Sequence, residues 1–163
     1  MTKKKQFFIT LICCFVSIIL LPSIVSISLA NSASNANVTA QVQSVLPDDL
    51  DWQVNPDISG VESAIALGNP TNSKLYVLFG KMAAGTEFPP HIHPDDRITT
   101  VISGVMYYGI GNNARTNIQS YPAGSVVYTP AGTPHYMWAK DGQTVMQEMG
   151  RGPTGIEFTS ESF

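Results

Sequence analysis

The chain has 163 residues, with nine Lys and Arg against twelve Asp and Glu, a formal charge of −3, and three histidines in all. Beyond the first thirty residues no Lys/Arg cluster gives the basic footprint that nucleic-acid binding requires, so that class of partner is not expected. The only two cysteines, Cys13 and Cys14, fall within the first thirty residues, which leaves the rest without a thiol for a disulfide, an iron–sulfur cluster or a cysteine nucleophile.

At the N-terminus, Lys3, Lys4 and Lys5 precede an uncharged apolar run from Phe7 to Leu21, and Ser28-Leu29-Ala30 supplies a small-residue cleavage pattern. Residues 1–30 are expected to be a secretory signal peptide, which places the protein in the periplasm or outside the cell, with no membrane association after cleavage. The alternative is an uncleaved anchor, because no charge interrupts Phe7 to Ala30, although Pro22 falls inside that run. Removing 30 of the 163 residues leaves 133 with a formal charge of −6, enough for one domain and too few for two. Residues 31–41, rich in Asn, Ser and Ala, are read as a flexible tether, and 42–163 as the domain.

From Leu46 onward, short runs of Val, Ile, Thr, Tyr and Phe alternate with Gly, Pro and Asn, and no window carries a helical stripe. The fold class is therefore all-β. Strands are expected near Val61 to Leu67, Lys74 to Lys81, Phe88 to His93, Arg97 to Ile102, Val105 to Ile110, Thr116 to Ser120, Ser125 to Thr129, His135 to Ala139, Thr144 to Gln147 and Ile156 to Thr159. Ten short strands suggest a sandwich or closed barrel, which protects sheet edges; any edge left open favours a homodimer by edge pairing. Gly109-Ile110-Gly111-Asn112-Asn113-Ala114 fits the dinucleotide pattern, but the segment from Arg115 to Gly124 is too short and too β-like for the helix that pattern needs. It is read as a hairpin turn.

His91 and His93 lie one residue apart in a predicted strand, so alternation points both to one face with Ile92 turned away. His135 comes 42 residues later, directly after Pro130-Ala131-Gly132-Thr133-Pro134, where a neighbouring strand can bring it to the same point. Two close imidazoles and a distant third fit a metal site for a divalent first-row ion; Fe, Cu, Ni, Zn and Mn all remain open. The bland alternative for each histidine is a hydrogen-bonded core or surface residue.

These positions resemble the two motifs of the cupin superfamily. Gly85, His91, His93 and Gly104 match the first motif, with Arg97 where the family has Glu, and Gly124, Pro130, Gly132 and His135 match the second, with Ala139 where it has Asn. The stretch His91-Ile-His-Pro-Asp-Asp-Arg97, with the later Gly-Arg-Gly-Pro, is similar to a branch of exported cupins in which Arg comes after the histidine pair. The resemblance implies a jelly-roll barrel with a metal inside, commonly dimeric, and His91, His93 and His135 as ligands.

Arg97 changes the chemistry, because a guanidinium cannot ligate a metal and the site becomes three neutral imidazoles. At about 6 Å and an effective dielectric near 20, Arg97 and a divalent ion repel by roughly 5 kcal/mol. Either Arg97 turns away to an exposed pair with Asp95 or Asp96, or an anion lies between guanidinium and metal and is held by both. On the second reading Arg97 binds a substrate anion. Glu148, Glu87, Tyr108, Tyr128 and Tyr136 are further acid–base candidates that the sequence does not place. Five methionines, Met82, Met106, Met137, Met146 and Met149, are read as core filler before soft copper ligands, with Met137 the one candidate for the latter. Two functions fit this pattern: a metalloenzyme of dioxygenase or isomerase type acting on a small anionic metabolite, or a non-catalytic barrel that binds or senses a small ligand. A third is a scaffold whose histidines are merely hydrogen-bonded.

Overall fold

The computed structural model describes residues 41–113 and 116–159, within a compact unit that spans residues 40–163. The expected signal peptide and all but the last residue of the expected tether lie outside the described residues.

Among the described residues, a 3-10 turn at Pro47–Asp49 is followed by eleven strands: β1 Gln53–Val54, β2 Val61–Leu67, β3 Leu75–Met82, β4 Glu87–Ile92, β5 Arg97–Ser103, β6 Val105–Ile110, β7 Ile118–Pro122, β8 Val126–Thr129, β9 His135–Trp138, β10 Thr144–Arg151 and β11 Glu157–Phe158. They form two antiparallel sheets, one in the order β1-β2-β3-β10-β5-β8 and the other β11-β4-β9-β6-β7. From β3 onward the chain mostly switches sheet at each strand, so β10 lies between β3 and β5, and β9 between β4 and β6. The all-β jelly-roll expectation holds, with one short strand, β1, that the pattern does not reveal. The strand expected from Thr116 starts instead at Ile118, because Asn117 adopts φ 54°, a left-handed conformation that breaks a strand. The strand expected to end at Gln147 runs on to Arg151, held by β3 and β5 on its two sides.

The apolar core lies between the sheets, with Val61, Met82, Val101, Met106, Met137 and Met146 among its buried members. Four of the five methionines are there, as the filler reading expects. On the six-stranded sheet, inward residues form cross-strand rows: Tyr76, Gly150 and Arg97 in one, Leu78, Glu148 and Thr99 in the next, Gly80, Met146 and Val101 in a third. Buried and part-buried positions alternate along β10, so Thr144, Met146, Glu148 and Gly150 all face inward.

Of the two dinucleotide-like glycines, Gly109 has a packing role. Gly109 sits opposite Tyr136, whose ring lies over the bare backbone, and a Cβ at Gly109 would come within 2.2 Å of ring atoms Cε1 and Cζ. The Tyr136 hydroxyl donates to the Thr116 carbonyl at 2.9 Å and holds the ring there. Gly109→Ala is therefore expected to destabilise the domain by about 1–3 kcal/mol through overpacking, read as a lowered denaturant midpoint at unchanged slope. A midpoint equal to wild type would contradict this packing.

Candidate metal centre

The three histidines come from one sheet. His135 opens β9 and stands directly opposite His91 on β4, and His93 lies just past the end of β4. Strict alternation would send Phe88 and His91 to opposite faces, yet both are buried and their rings lie 4.5 Å apart. A register shift between them resolves this, at Pro89-Pro90, where proline nitrogens have no hydrogen to offer a ladder. Beyond the shift alternation resumes, and His91 and His93 are 0% and 4% exposed while Ile92 is half-buried.

Each ring is fixed by the same device. His91 Nδ1–H donates to the Pro89 carbonyl at 2.7 Å, His93 Nδ1–H to Gly155 at 2.7 Å, and His135 Nδ1–H to Thr133 at 2.8 Å. A carbonyl can only accept, so the proton sits on Nδ1 and Nε2 is left as a lone-pair donor. His91 Nε2 and His93 Nε2 are buried with no hydrogen-bond partner, a costly state for a polar atom unless something coordinates it. Ligand atoms of all three rings lie within 4.8 Å of one another, so small ring rotations bring them to a common ion at the roughly 2.0–2.1 Å typical of metal–imidazole bonds. The cluster can hold a metal ion, and the residues fit that role better than that of hydrogen-bonded core histidines.

Burial keeps the imidazoles in the neutral form that ligates. Desolvation, helped by His135, pushes His91 down to about 2, and desolvation with the nearby Arg97 charge pushes His93 down to about 4. His135 is lowered as well, again chiefly by burial.

The opposite sheet faces this cluster with an ion-paired network. Arg97 is 6% exposed and lines the same cavity as His91 and His93. Its Nη1 donates to Glu148 Oε2, its Nη2 to Thr154 Oγ1 at 2.8 Å, and its Nε lies 3.8 Å from Asp95 Oδ1. Asp95 in turn accepts from the hydroxyls of Thr154 and Tyr76, the latter at 2.6 Å. The expected exposed pairing of Arg97 with Asp95 or Asp96 is thus revised. Arg97 does pair with Asp95, but inside the barrel and not on its surface, and its principal partner is Glu148. Asp96 goes elsewhere, accepting from the Ala131 backbone N–H at 2.8 Å.

Glu148 is the one of the five unplaced acid–base candidates that reaches the cavity. It is 7% exposed and lines the cavity, 51 residues from its Arg97 partner. The other acid–base candidates do not line it. Tyr108 stacks on His135 at 5.2 Å with its hydroxyl on Thr129, and its phenol is raised by burial. Tyr136 covers Gly109, Tyr128 is exposed, and Glu87 is half-buried on β4. Met137 does reach the cavity, beside Met82 and Met146.

The cavity measures about 290 Å³ and is largely apolar, walled by Val61, Leu78, Phe88 and the three methionines. Lys81 and Glu62 pair at 3.1 Å on its rim, with Lys81 lying 3.9 Å over the Trp52 ring. Burial of the rings sets a pH response. Between pH 6.5 and 5 the unfolded chain's imidazoles take up protons that folded His91 and His93 refuse, so the unfolded state binds more protons and stability falls as pH falls. Chelator-treated protein is expected to lose denaturant midpoint steadily across that window, with a flatter slope in His91→Gln. A pH-independent midpoint would show that the rings are not buried as described.

The sequence model of the cupin domain family matches residues 78–147, which include all three histidines and Arg97. No curated protein matches the chain in sequence. Among solved structures of like fold, the polyketide cyclase RemF from Streptomyces resistomycificus has a TM-score of 0.65 at 14% identity, over 75% of this chain and 88% of that one. KdgF from Halomonas sp. has a TM-score of 0.56 at 21% identity, over 69% and 96%, and an RmlC-like cupin from Shewanella frigidimarina 0.56 at 13%, over 68% and 91%. At these identities the likeness carries the fold and not the chemistry. The matched stretch is set in a barrel of two antiparallel sheets, and sequence model and fold together support the resemblance to the cupin superfamily.

Proposed function

We propose that this protein is an exported metalloenzyme of the isomerase or dioxygenase type, in which His91, His93 and His135 hold a divalent first-row ion that binds a small-molecule substrate. The observation that carries the reading is the convergence of three buried imidazoles whose Nδ1 protons are already spent on backbone carbonyls. A divalent ion there supplies Lewis acidity toward a carbonyl or carboxylate oxygen, and with iron an O₂ site as well.

Formal charge narrows the substrate. Three neutral imidazoles and a divalent ion, set beside one guanidinium and the two carboxylates of Asp95 and Glu148, leave one positive charge in a mostly apolar chamber. A ligand with one acidic oxygen and an apolar body balances that charge and fills that space. Arg97 contributes to the balance as the clamp of Glu148, so its service to a substrate anion is through the local field.

Elemental analysis of the purified protein tests the reading: about one divalent ion per chain is expected, and His91→Gln or His135→Gln should weaken retention roughly a hundredfold or more. Full-length protein that takes up neither Zn(II), Mn(II), Fe(II) nor Co(II) excludes it. With Fe(II) bound, oxygen uptake on adding 2-oxo acids selects the dioxygenase branch. Protein that holds metal and ligand but converts neither is the non-catalytic binding barrel.

A further inference from the structure

The cavity contains few groups able to move a proton. Its ionisable lining, among the described residues, consists of Glu62, Lys81, His91, His93, Arg97 and Glu148. Glu62 and Lys81 are paired at the rim, with side chains 39% and 25% exposed. The histidine Nε2 atoms serve the centre, and a guanidinium does not give up its proton. Glu148 remains, a carboxylate that reaches the chamber from the sheet facing the imidazoles.

Its position is over-determined. Arg97 binds one of its oxygens, Thr154 and Asp95 hold Arg97, and Tyr76 holds Asp95. Gly150 makes this possible, since it stands between Tyr76 and Arg97 in their cross-strand row, and a Cβ there would lie 2.4 Å from Asp95 Oδ2 and 2.5 Å from Tyr76 Oη. A carboxylate so oriented, next to a centre with residual positive charge, has the arrangement of a general base.

We infer that Glu148 is the acid–base group of this site, taking a proton from the carbon next to a carbonyl of the bound ligand and returning it. The C–H bond breaks, its electron pair forms a C=C bond as the carbonyl π pair moves onto oxygen, and the proton rests on Glu148. Return of the proton to the same carbon completes exchange; where that carbon carries a hydroxyl whose proton passes to the carbonyl oxygen, return to the former carbonyl carbon completes isomerisation, with no oxidant consumed. Because a single base serves one face, removal and return occur on the same side of the ligand. The inference rests on the three-imidazole centre holding a metal, and it favours the isomerase branch of the proposed function.

The test uses full-length protein loaded with Zn(II), which has no redox chemistry, and 4-methyl-2-oxopentanoate as probe, a carbonyl acid with an apolar tail. Proton NMR in D₂O tracks loss of the C3 proton signal. The wild type is expected to accelerate exchange, and Glu148→Gln to slow the catalysed rate by about 10²–10⁴-fold. Co(II)-substituted wild type and variant should show equal metal content and the same visible-spectrum change on adding probe. Should Glu148→Gln fail to fold, Glu148→Asp, which keeps the charge but draws it back, must slow exchange at least about tenfold with Co(II) uptake intact. Exchange in Glu148→Gln within threefold of wild type overturns the inference, as does wild type that holds Co(II) yet exchanges no probe. Wild type that takes up no Co(II) overturns both this and the reading beneath it.

Discussion

Three hydrogen bonds from imidazole Nδ1 to backbone carbonyls govern the interior of this barrel. They come from Pro89, Gly155 and Thr133, three separate stretches of chain, and each chooses the tautomer and orientation of one ring. Two of these carbonyls lie two residues before their histidine, so β4 and β9 each carry a local device that turns their ring. The third reaches His93 from 62 residues away, beyond the stretch that matches the cupin domain. The short segment leading into β11 is thereby part of the centre, and Phe158 on that strand stacks on Phe88 at 6.2 Å behind it.

The opposing sheet answers with charge. A buried guanidinium is costly to desolvate, and here Glu148 and the Thr154 hydroxyl accept from its two Nη atoms while Asp95, 3.8 Å from Nε, adds a second negative charge and leaves Nε without a hydrogen-bond partner. The network also keeps the tyrosine neutral: burial and the hydrogen bond to Asp95 raise Tyr76 to about 12. Replacement of the family's motif Glu by Arg97 therefore does not strip the cavity of a carboxylate. One arrives from β10, the neighbouring strand, on the same face and one cross-strand row away.

The barrel hosts many chemistries, and a polyketide cyclase shares it at an identity too low to transfer a reaction. The arguments for function are consequently local. On the proposed reading, the apolar walls of methionine, leucine and phenylalanine would match the body of a ligand, and the charge around a metal-loaded imidazole cluster its head group. Flexible methionine side chains adapt to ligand shape more readily than branched ones, which suits a cavity of this modest volume.

Strand positions were legible because β-branched and aromatic runs between Gly and Pro have few other uses, and Val61–Leu67 and Val105–Ile110 match residue for residue. The histidine set was legible because alternation and motif spacing act over a few residues. By itself the amino-acid order determined an all-β chain with three imidazoles on matching motif positions. Glu148 was not legible: in Thr144–Arg151 both alternating faces mix apolar and polar residues, so the pattern cannot say which one turns inward. Nor was the fate of Arg97, whose partners lie 51 and 57 residues downstream as well as beside it. Only the tertiary structure decided these, because β10 is inserted between β3 and β5, and that pairing alone brings Glu148 and Gly150 alongside Arg97.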